Sequence, residues 1–162
     1  MSPCWYDLSF SADHIMIEND KLYNESFVQA LREANPKIKI MPRIYISSQQ
    51  RALLHSIGSF ETKFKQVIGL IITIVEKQNF DGLVWDSPFN TMMAGDKYTS
   101  IRNLIVQLVN SIRMNMYKDK LLFFNMANPM GLDLANDMYS ILNVDGILIQ
   151  NYDNDQYLQM IE

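Results

Sequence analysis

Apolar and polar positions follow two different periods along this chain, and the period switches at regular intervals. Trp5-Tyr6-Asp7-Leu8-Ser9-Phe10 reads as a strand, followed by a polar loop with Asp13, His14, Glu18, Asn19 and Asp20. Tyr23, Phe27, Ala30, Leu31 and Ala34 then keep helical spacing. Asn35-Pro36 stops that helix, because proline disfavours the α region for the residue before it. Ile38 to Ile46 predicts a second strand, although Pro42 removes one ladder hydrogen bond from it. Ser47 to Gly58 reads as a loop with room for a helical turn at Arg51 to His55.

Ser59 is placed to cap the next helix, with Glu61 in its first turn. Phe60, Phe64, Val67, Ile68, Ile71 and Val75 trace one face of that helix. It leads into Phe80-Asp81-Gly82-Leu83-Val84-Trp85-Asp86-Ser87-Pro88, a short buried strand that starts at an Asp-Gly corner and closes on polar residues. After a loop through Asn90 to Gly95, Asp96 can cap a helix carrying Tyr98, Ile101, Ile105, Leu108 and Ile112. Lys118 and Lys120 complement its C-terminal end. Leu121 to Met126 is a fourth strand, Asp133 to Leu142 a shorter helix, and Asp145 to Asp153 a fifth strand.

Strand and helix alternate throughout, which implies parallel strands joined by right-handed crossovers. One signal occurs twice: Phe80-Asp81-Gly82-Leu83 and Val144-Asp145-Gly146-Ile147 each follow a helix and open a strand. The fold class is α/β. A five-stranded open sheet and a segment of a (β/α)8 barrel both satisfy the pattern. A whole barrel takes about 250 residues, so this chain would supply five strands of eight. A segment of that kind leaves two sheet edges and one side of the core uncovered, so the chain alone is expected to be marginal or aggregation-prone. A truncated product or partial gene model, lacking the first strand, the last two and any signal peptide, is the expected explanation. No glycine-rich phosphate loop follows the first strand, which weakens a nucleotide-binding sheet.

Composition narrows the function classes. Of the 162 residues, 48% are hydrophobic and 20% charged, a balance that supports a packed core and not disorder. The net charge of −4, with Lys and Arg scattered, argues against nucleic acid as a partner. One cysteine, Cys4, and two histidines leave no internal disulfide and no zinc ligand set. No metal or cofactor is therefore expected, and Cys4 is read as a buried inert thiol. The longest apolar run, Val67 to Val75, is too short to span a bilayer, and no signal peptide is visible in the chain as given. Met92, Met93, Met114 and Met116 read as gap-filling core residues. The sequon Asn24-Glu25-Ser26 carries little weight in so asparagine-rich a chain.

Four stretches carry a resemblance: Ser2-Pro3-Cys4-Trp5, Ile40-Met41-Pro42-Arg43, Asn79-Phe80-Asp81-Gly82, and Val144-Asp145-Gly146 through Tyr152-Asp153. In order and spacing the chain resembles a divergent member of glycoside hydrolase family 18, over nearly its whole length. The resemblance implies a partial (β/α)8 barrel, from about the second strand to the sixth. Active members carry Asp-Gly-x-Asp-x-Asp-x-Glu on the fourth strand. The last residue protonates the glycosidic oxygen, and the substrate's acetamido group is the nucleophile. In this chain Asp81, Gly82 and Asp86 match, Val84 stands at the middle aspartate and Pro88 at the glutamate. Proline has no proton to give, so no catalytic residue is assigned. The serine-glycine-glycine signature of the third strand is missing from Ile38 to Ser48. On the sixth strand, where active members show Met-x-Tyr-Asp, Gln150 replaces Met while Tyr152 and Asp153 match.

The resemblance thus points to a non-catalytic chitinase-like protein that holds chitin-type, N-acetylglucosamine oligosaccharides. The candidate residues are Asp86, Tyr152 and Asp153, with Tyr45 and Phe124 as weaker stacking platforms. Each has a plainer reading. Asp86 can simply bond backbone or water at a strand end, Tyr152 and Asp153 can be a structural pair, and core packing is the better reading for Tyr45 and Phe124. Trp85 alternates with Val84 and Asp86 and should face the helical layer. The resemblance also implies an endocytic or scavenger receptor as partner and a secreted or lysosomal location. An altered glycosidase using Asp86, and a protein-interaction scaffold that binds no sugar, stay open beside it.

Overall fold

A computed structural model of the chain describes residues 1–10, 15–19, 23–45, 61–87, 96–127 and 140–150. Within them run β1 (Cys4–Phe10), β2 (Ile15–Asn19), α1 (Glu25–Ala34), β3 (Arg43–Tyr45), α2 (Glu61–Lys77), β4 (Gly82–Ser87), α3 (Asp96–Asn115), β5 (Leu121–Ala127) and β6 (Gly146–Gln150). The strands form one sheet in the order β2-β1-β3-β4-β5-β6. All neighbours pair in parallel except β1 and β2, which pair antiparallel from Tyr6↔Asn19 to Phe10↔Ile15.

Two departures from the sequence reading have clear causes. The stretch expected to be a polar loop contains β2, whose Ile15 and Ile17 pack partly buried against the core. Their alternation is hidden because the exposed residue between them, Met16, is itself apolar. Because β2 lies along β1, that edge of the parallel strands is covered by a five-residue antiparallel strand. The second departure is β3, which is three residues long and starts just after Pro42. Proline has no N–H to give the ladder, yet the Pro42 carbonyl still accepts from Val84 N–H at 2.9 Å. The helix expected over 133–142 lies mostly outside the described residues, as does the loop expected over 47–58.

The helices share one face of the sheet. Leu8, Ile44, Leu83, Trp85, Leu122 and Phe124 join a single buried cluster with Val28 of α1, Val67, Ile71 and Val75 of α2, and Ile105, Val109 and Ile112 of α3. Those strand residues share one phase of the period-2 alternation, so the other phase faces away from these helices. A doubly wound sheet would spread its helices over both faces, whereas a barrel wall carries them on one. Trp85 is fully buried in this cluster, as its alternation predicts.

An aromatic knot closes the N-terminal end of the strands. Phe80, fully buried, lies 6.0 Å from Trp5, 6.2 Å from Tyr6 and 6.1 Å from Tyr23, ring centre to ring centre. The chain reaches that knot through a Schellman turn at the end of α2. Asn79 adopts the left-handed conformation with φ 49°. Phe80 N–H reaches Val75 C=O at 2.9 Å, and Asn79 N–H reaches Glu76 C=O at 3.0 Å.

The repeated Asp-Gly corner proves to be a repeated clamp. Asp81 accepts from Ile40 N–H at 2.9 Å through its carboxylate, and Asp81 N–H donates to Ile40 C=O at 3.0 Å. Asp145 does the same to Leu122, at 2.7 and 2.8 Å. Each aspartate therefore fastens the start of its strand to the strand before it. Each also meets an arginine from the last turn of the helix that precedes that earlier strand: Arg32 of α1 for Asp81 and Arg113 of α3 for Asp145.

Three smaller readings need correction or confirmation. Cys4 is exposed, not buried, because it is the first residue of β1 and precedes the register shift that sets the strand's phase. Met116 is buried as expected, but Met114 is 81% exposed on the outer side of α3. Met92 and Met93 lie outside the described residues. Asn24 of the sequon caps α1, its side-chain oxygen accepting from Phe27 N–H at 3.2 Å.

Candidate functional site

The face turned away from the helices carries the polar residues. Register places Asp7 of β1 beside Tyr45 of β3, Tyr45 beside Asp86 of β4, Asp86 beside Asn125 of β5, and Asn125 beside Leu148 of β6. Residues level with one another on parallel strands point to the same side, so these five form one layer near the C-terminal ends of the strands. That is the end at which α/β barrels build their sites.

Asp86 is the centre of the layer. Its side chain is 15% exposed, and one carboxylate oxygen accepts from the Asn125 amide N–H at 2.8 Å. The other oxygen lies 3.9 Å from the Arg43 guanidinium, which reaches up from one layer below. Burial pushes the Asp86 carboxyl above its ordinary value, and the Asn125 bond and the Arg43 charge offset this only in part. Val84, two residues before Asp86 and on the same face, is fully buried and contributes no charge.

Among the described residues Asn125 is the fully buried polar residue of the core, at 0% exposure. Its N–H serves Asp86, while its carbonyl oxygen is buried with no hydrogen-bond partner among the described residues. The amide orientation follows from chemistry, since turning it over would set two oxygens against each other. Neither Asn125 nor Arg43 stands out in a scan for acidic motifs. A lone polar residue inside the apolar run Leu121 to Met126 was the available signal for the first. Period-2 spacing from Tyr45 was the signal for the second.

The other candidates separate cleanly. Tyr45 is half-buried in the Asp86 layer. Phe124 is not a stacking platform: it is fully buried on the helical face, and it is Phe123 and Asn125 that share the inner phase. Tyr152 and Asp153 lie outside the described residues. Asp81, the first residue of the acidic motif, is spent on the clamp to Ile40 at the opposite end of β4. Among the described residues no cluster of His, Cys, Asp and Glu could hold a metal ion, and no helix is long and apolar enough to cross a membrane. A groove of about 410 Å³ lined by Tyr23, Arg32, Lys77 and Asn79 lies at the N-terminal end of the strands, where barrels place stabilising rather than catalytic residues.

No protein-family model matches the sequence, and no curated protein matches it. Solved structures do. The chain superposes on a chitinase from Bacteroides thetaiotaomicron with a TM-score of 0.67 at 15% identity, covering 95% of this chain and 45% of that one. The class V chitinase from Nicotiana tobaccum gives 0.69 at 16% identity, covering 94% and 45%. This chain has the fold of a glycoside hydrolase family 18 chitinase. It is a partial barrel, since it spans a little under half the length of those chitinases. A mutant of the family 18 chitinase from Cycas revoluta, solved in complex with (GlcNAc)4, superposes with a TM-score of 0.67 at 16% identity over 94% of this chain and 47% of that one.

Within this family 18 fold, the inner layer is the barrel interior and the helical face is the outer wall. The one-sided packing of α1, α2 and α3 has its reason in that geometry.

Proposed function

We propose that this chain is a non-catalytic chitinase-like module that holds chitin-type, N-acetylglucosamine oligosaccharides at the barrel mouth. One observation carries the reading. Asp86 is aimed into the interior and held by Asn125 and Arg43, with no second carboxylate beside it on β4. A carboxylate, an amide and a phenol in one layer, with a guanidinium reaching up from the layer below, are the groups that bind sugar hydroxyl and acetamido groups by hydrogen bonds. Glycoside hydrolysis needs more, namely an acid to protonate the leaving oxygen. Asn125 cannot supply that proton, and Pro88 occupies the position where the resemblance puts the acid.

The neighbours support the ligand class, since a Nicotiana tobaccum mutant was solved with NAG4 and the Cycas revoluta mutant with (GlcNAc)4. Tyr152 and Asp153 join the proposed site through the sixth-strand motif. The chain resembles a segment of chitinase domain-containing protein 1, the stabilin-interacting chitinase-like protein. An endocytic or scavenger receptor as partner, and a secreted or lysosomal location, rest on that resemblance alone.

The test is calorimetric titration with tetra-N-acetylchitotetraose. The parent chain is expected to bind it, and Asp86→Ala to weaken binding by about tenfold or more, the loss of one charge-assisted hydrogen bond. Equal binding by parent and variant would remove Asp86 from the site. No binding by the parent would favour a scaffold that holds no sugar.

A further inference from the structure

Asn125 is buried as completely as any apolar core residue, yet among the described residues only half of its amide has a partner. A buried carbonyl without a partner costs about 1–3 kcal/mol, so a side chain of this kind is poorly explained as packing. A leucine or valine would fill β5 at no such cost. The used half points at Asp86, and the unused half belongs to the same inner layer, level with Asp86 and two positions along β5 from Phe123.

Building on the oligosaccharide reading, we propose that Asn125 is the specificity-determining residue of the site. Its amide N–H fixes the Asp86 carboxylate, and its buried carbonyl accepts a hydrogen bond from a donor on the bound sugar. The pair then works as a unit. Asp86 is turned so that its remaining lone pairs face the ligand, and the Asn125 carbonyl adds an acceptor next to them. A ligand offering two adjacent donors, as an amino sugar with an acetamido N–H beside a ring hydroxyl does, satisfies both. An analogue lacking one donor leaves a buried acceptor unpaired, and sites of this build reject such analogues strongly.

Changing the donor tests this directly. In Asn125→Asp the two side chains become neighbouring carboxyls, which cannot both ionise comfortably. Among the described residues, the other charged and titratable groups facing the pair are Arg43 and Tyr45 of β3 and Asp7 of β1. At about pH 7 the added charge repels Asp86 and the N–H donor is gone. At about pH 5 a shared proton restores a donor between the two carboxyls while an acceptor oxygen remains.

Titration of tetra-N-acetylchitotetraose into the parent, Asn125→Asp and Asn125→Leu, each compared with the parent at the same pH, gives the reading. Asn125→Asp is expected to bind about tenfold or more weakly at neutral pH and to recover most of that loss on acidification, whereas Asn125→Leu recovers nothing. A purely structural role predicts no such rescue. Parent-like binding by either variant at neutral pH, or an Asn125→Asp loss unchanged by acid, overturns the inference and leaves the oligosaccharide reading standing. No binding by the parent at either pH overturns that reading itself, and the inference with it.

Discussion

Gly82→Ala is expected to abolish cooperative folding, or to cost on the order of 3 kcal/mol or more where soluble protein is recovered. A Cβ at this position would lie 1.9 Å from Leu121 O, 2.6 Å from Leu121 C and 2.7 Å from Leu121 N. These are backbone atoms, and they have no freedom to retreat. Leu121 N–H is bonded to Asp81 C=O at 2.9 Å, and the next residue, Leu122, is clamped on its far side by Asp145. The φ of 157° at Gly82 adds a conformation that side-chain-bearing residues avoid. Gly146 is the useful comparison, because the same Asp-Gly signal precedes β6. There a Cβ would meet the Phe123 ring, 2.7 Å away, and a side chain can turn aside where a strand backbone cannot. Gly146→Ala is therefore expected to cost about 1 kcal/mol. Urea unfolding of the two variants side by side checks the contrast, and equal midpoints would contradict it.

Asp81→Ala is expected to destabilise the chain by about 2 kcal/mol near neutral pH, and to do so less and less as the pH falls. The loss is chiefly that of the Ile40 N–H partner, which is left part-buried without an acceptor. Lys39 adds little, because its side chain is 62% exposed. Burial alone would push the Asp81 carboxyl up. The Ile40 N–H, the Lys39 hydrogen bond and the charges of Lys39 and Arg32 together outweigh it and hold the carboxyl below its ordinary value. A carboxyl depressed in the folded state stabilises above its unfolded value of about 3.9 and loses that contribution as pH drops through its folded value. The gap in urea midpoint between parent and Asp81→Ala should thus be largest at about pH 7 and narrow below about pH 4, keeping the part due to the Ile40 acceptor, which a protonated carboxyl still supplies. Asp81→Asn, which keeps an acceptor oxygen for Ile40, should show a smaller gap at about pH 7 that narrows over the same range, because the titration lies in the parent. A gap for Asp81→Ala as large in acid as at neutral pH would show that the carboxylate charge is not what fastens β4 to β3.

These two predictions also mark what a sequence can and cannot disclose. The alternation of strand and helix was legible, because buried parallel strands and one-sided helices leave period-2 and period-3.6 patterns that survive without context. The Asp-Gly repeat was visible as well, but its meaning was not. Asp81 meets Ile40 across 41 positions of chain, and Asp145 meets Leu122 across 23. What read as the first residue of an acidic motif is a fastening at the far end of the strand.

Strand phase explains the remaining gains and losses. Trp85 and Asp86 were assigned to opposite faces correctly, since the acidic pattern itself fixes the phase of β4. Phe124 was a candidate by position along β5 alone, and a shift of one residue separates it from the interior. The same shift brings Asn125 in. Its single polar side chain in the apolar run Leu121 to Met126 is a usable signal, weaker than that of the acidic motif on β4. Arg43 was masked by Pro42, which drew notice to the strand's weakness instead of to its inward face. β2 is not legible because Ile15-Met16-Ile17 is a three-residue apolar run without alternation, set between polar residues, and a short edge strand needs no more than that.

The central claim is a barrel mouth that holds a chitin oligosaccharide without cutting it. Ligand-observed proton NMR of tetra-N-acetylchitotetraose mixed with the full chain, followed over a day, reads both halves in one sample. The account predicts broadened or saturation-transferred sugar resonances, while the reducing-end anomeric signals keep their starting intensity. Growth of new reducing-end signals would reveal hydrolysis and contradict the loss of the proton donor, and unperturbed sugar resonances would contradict the binding.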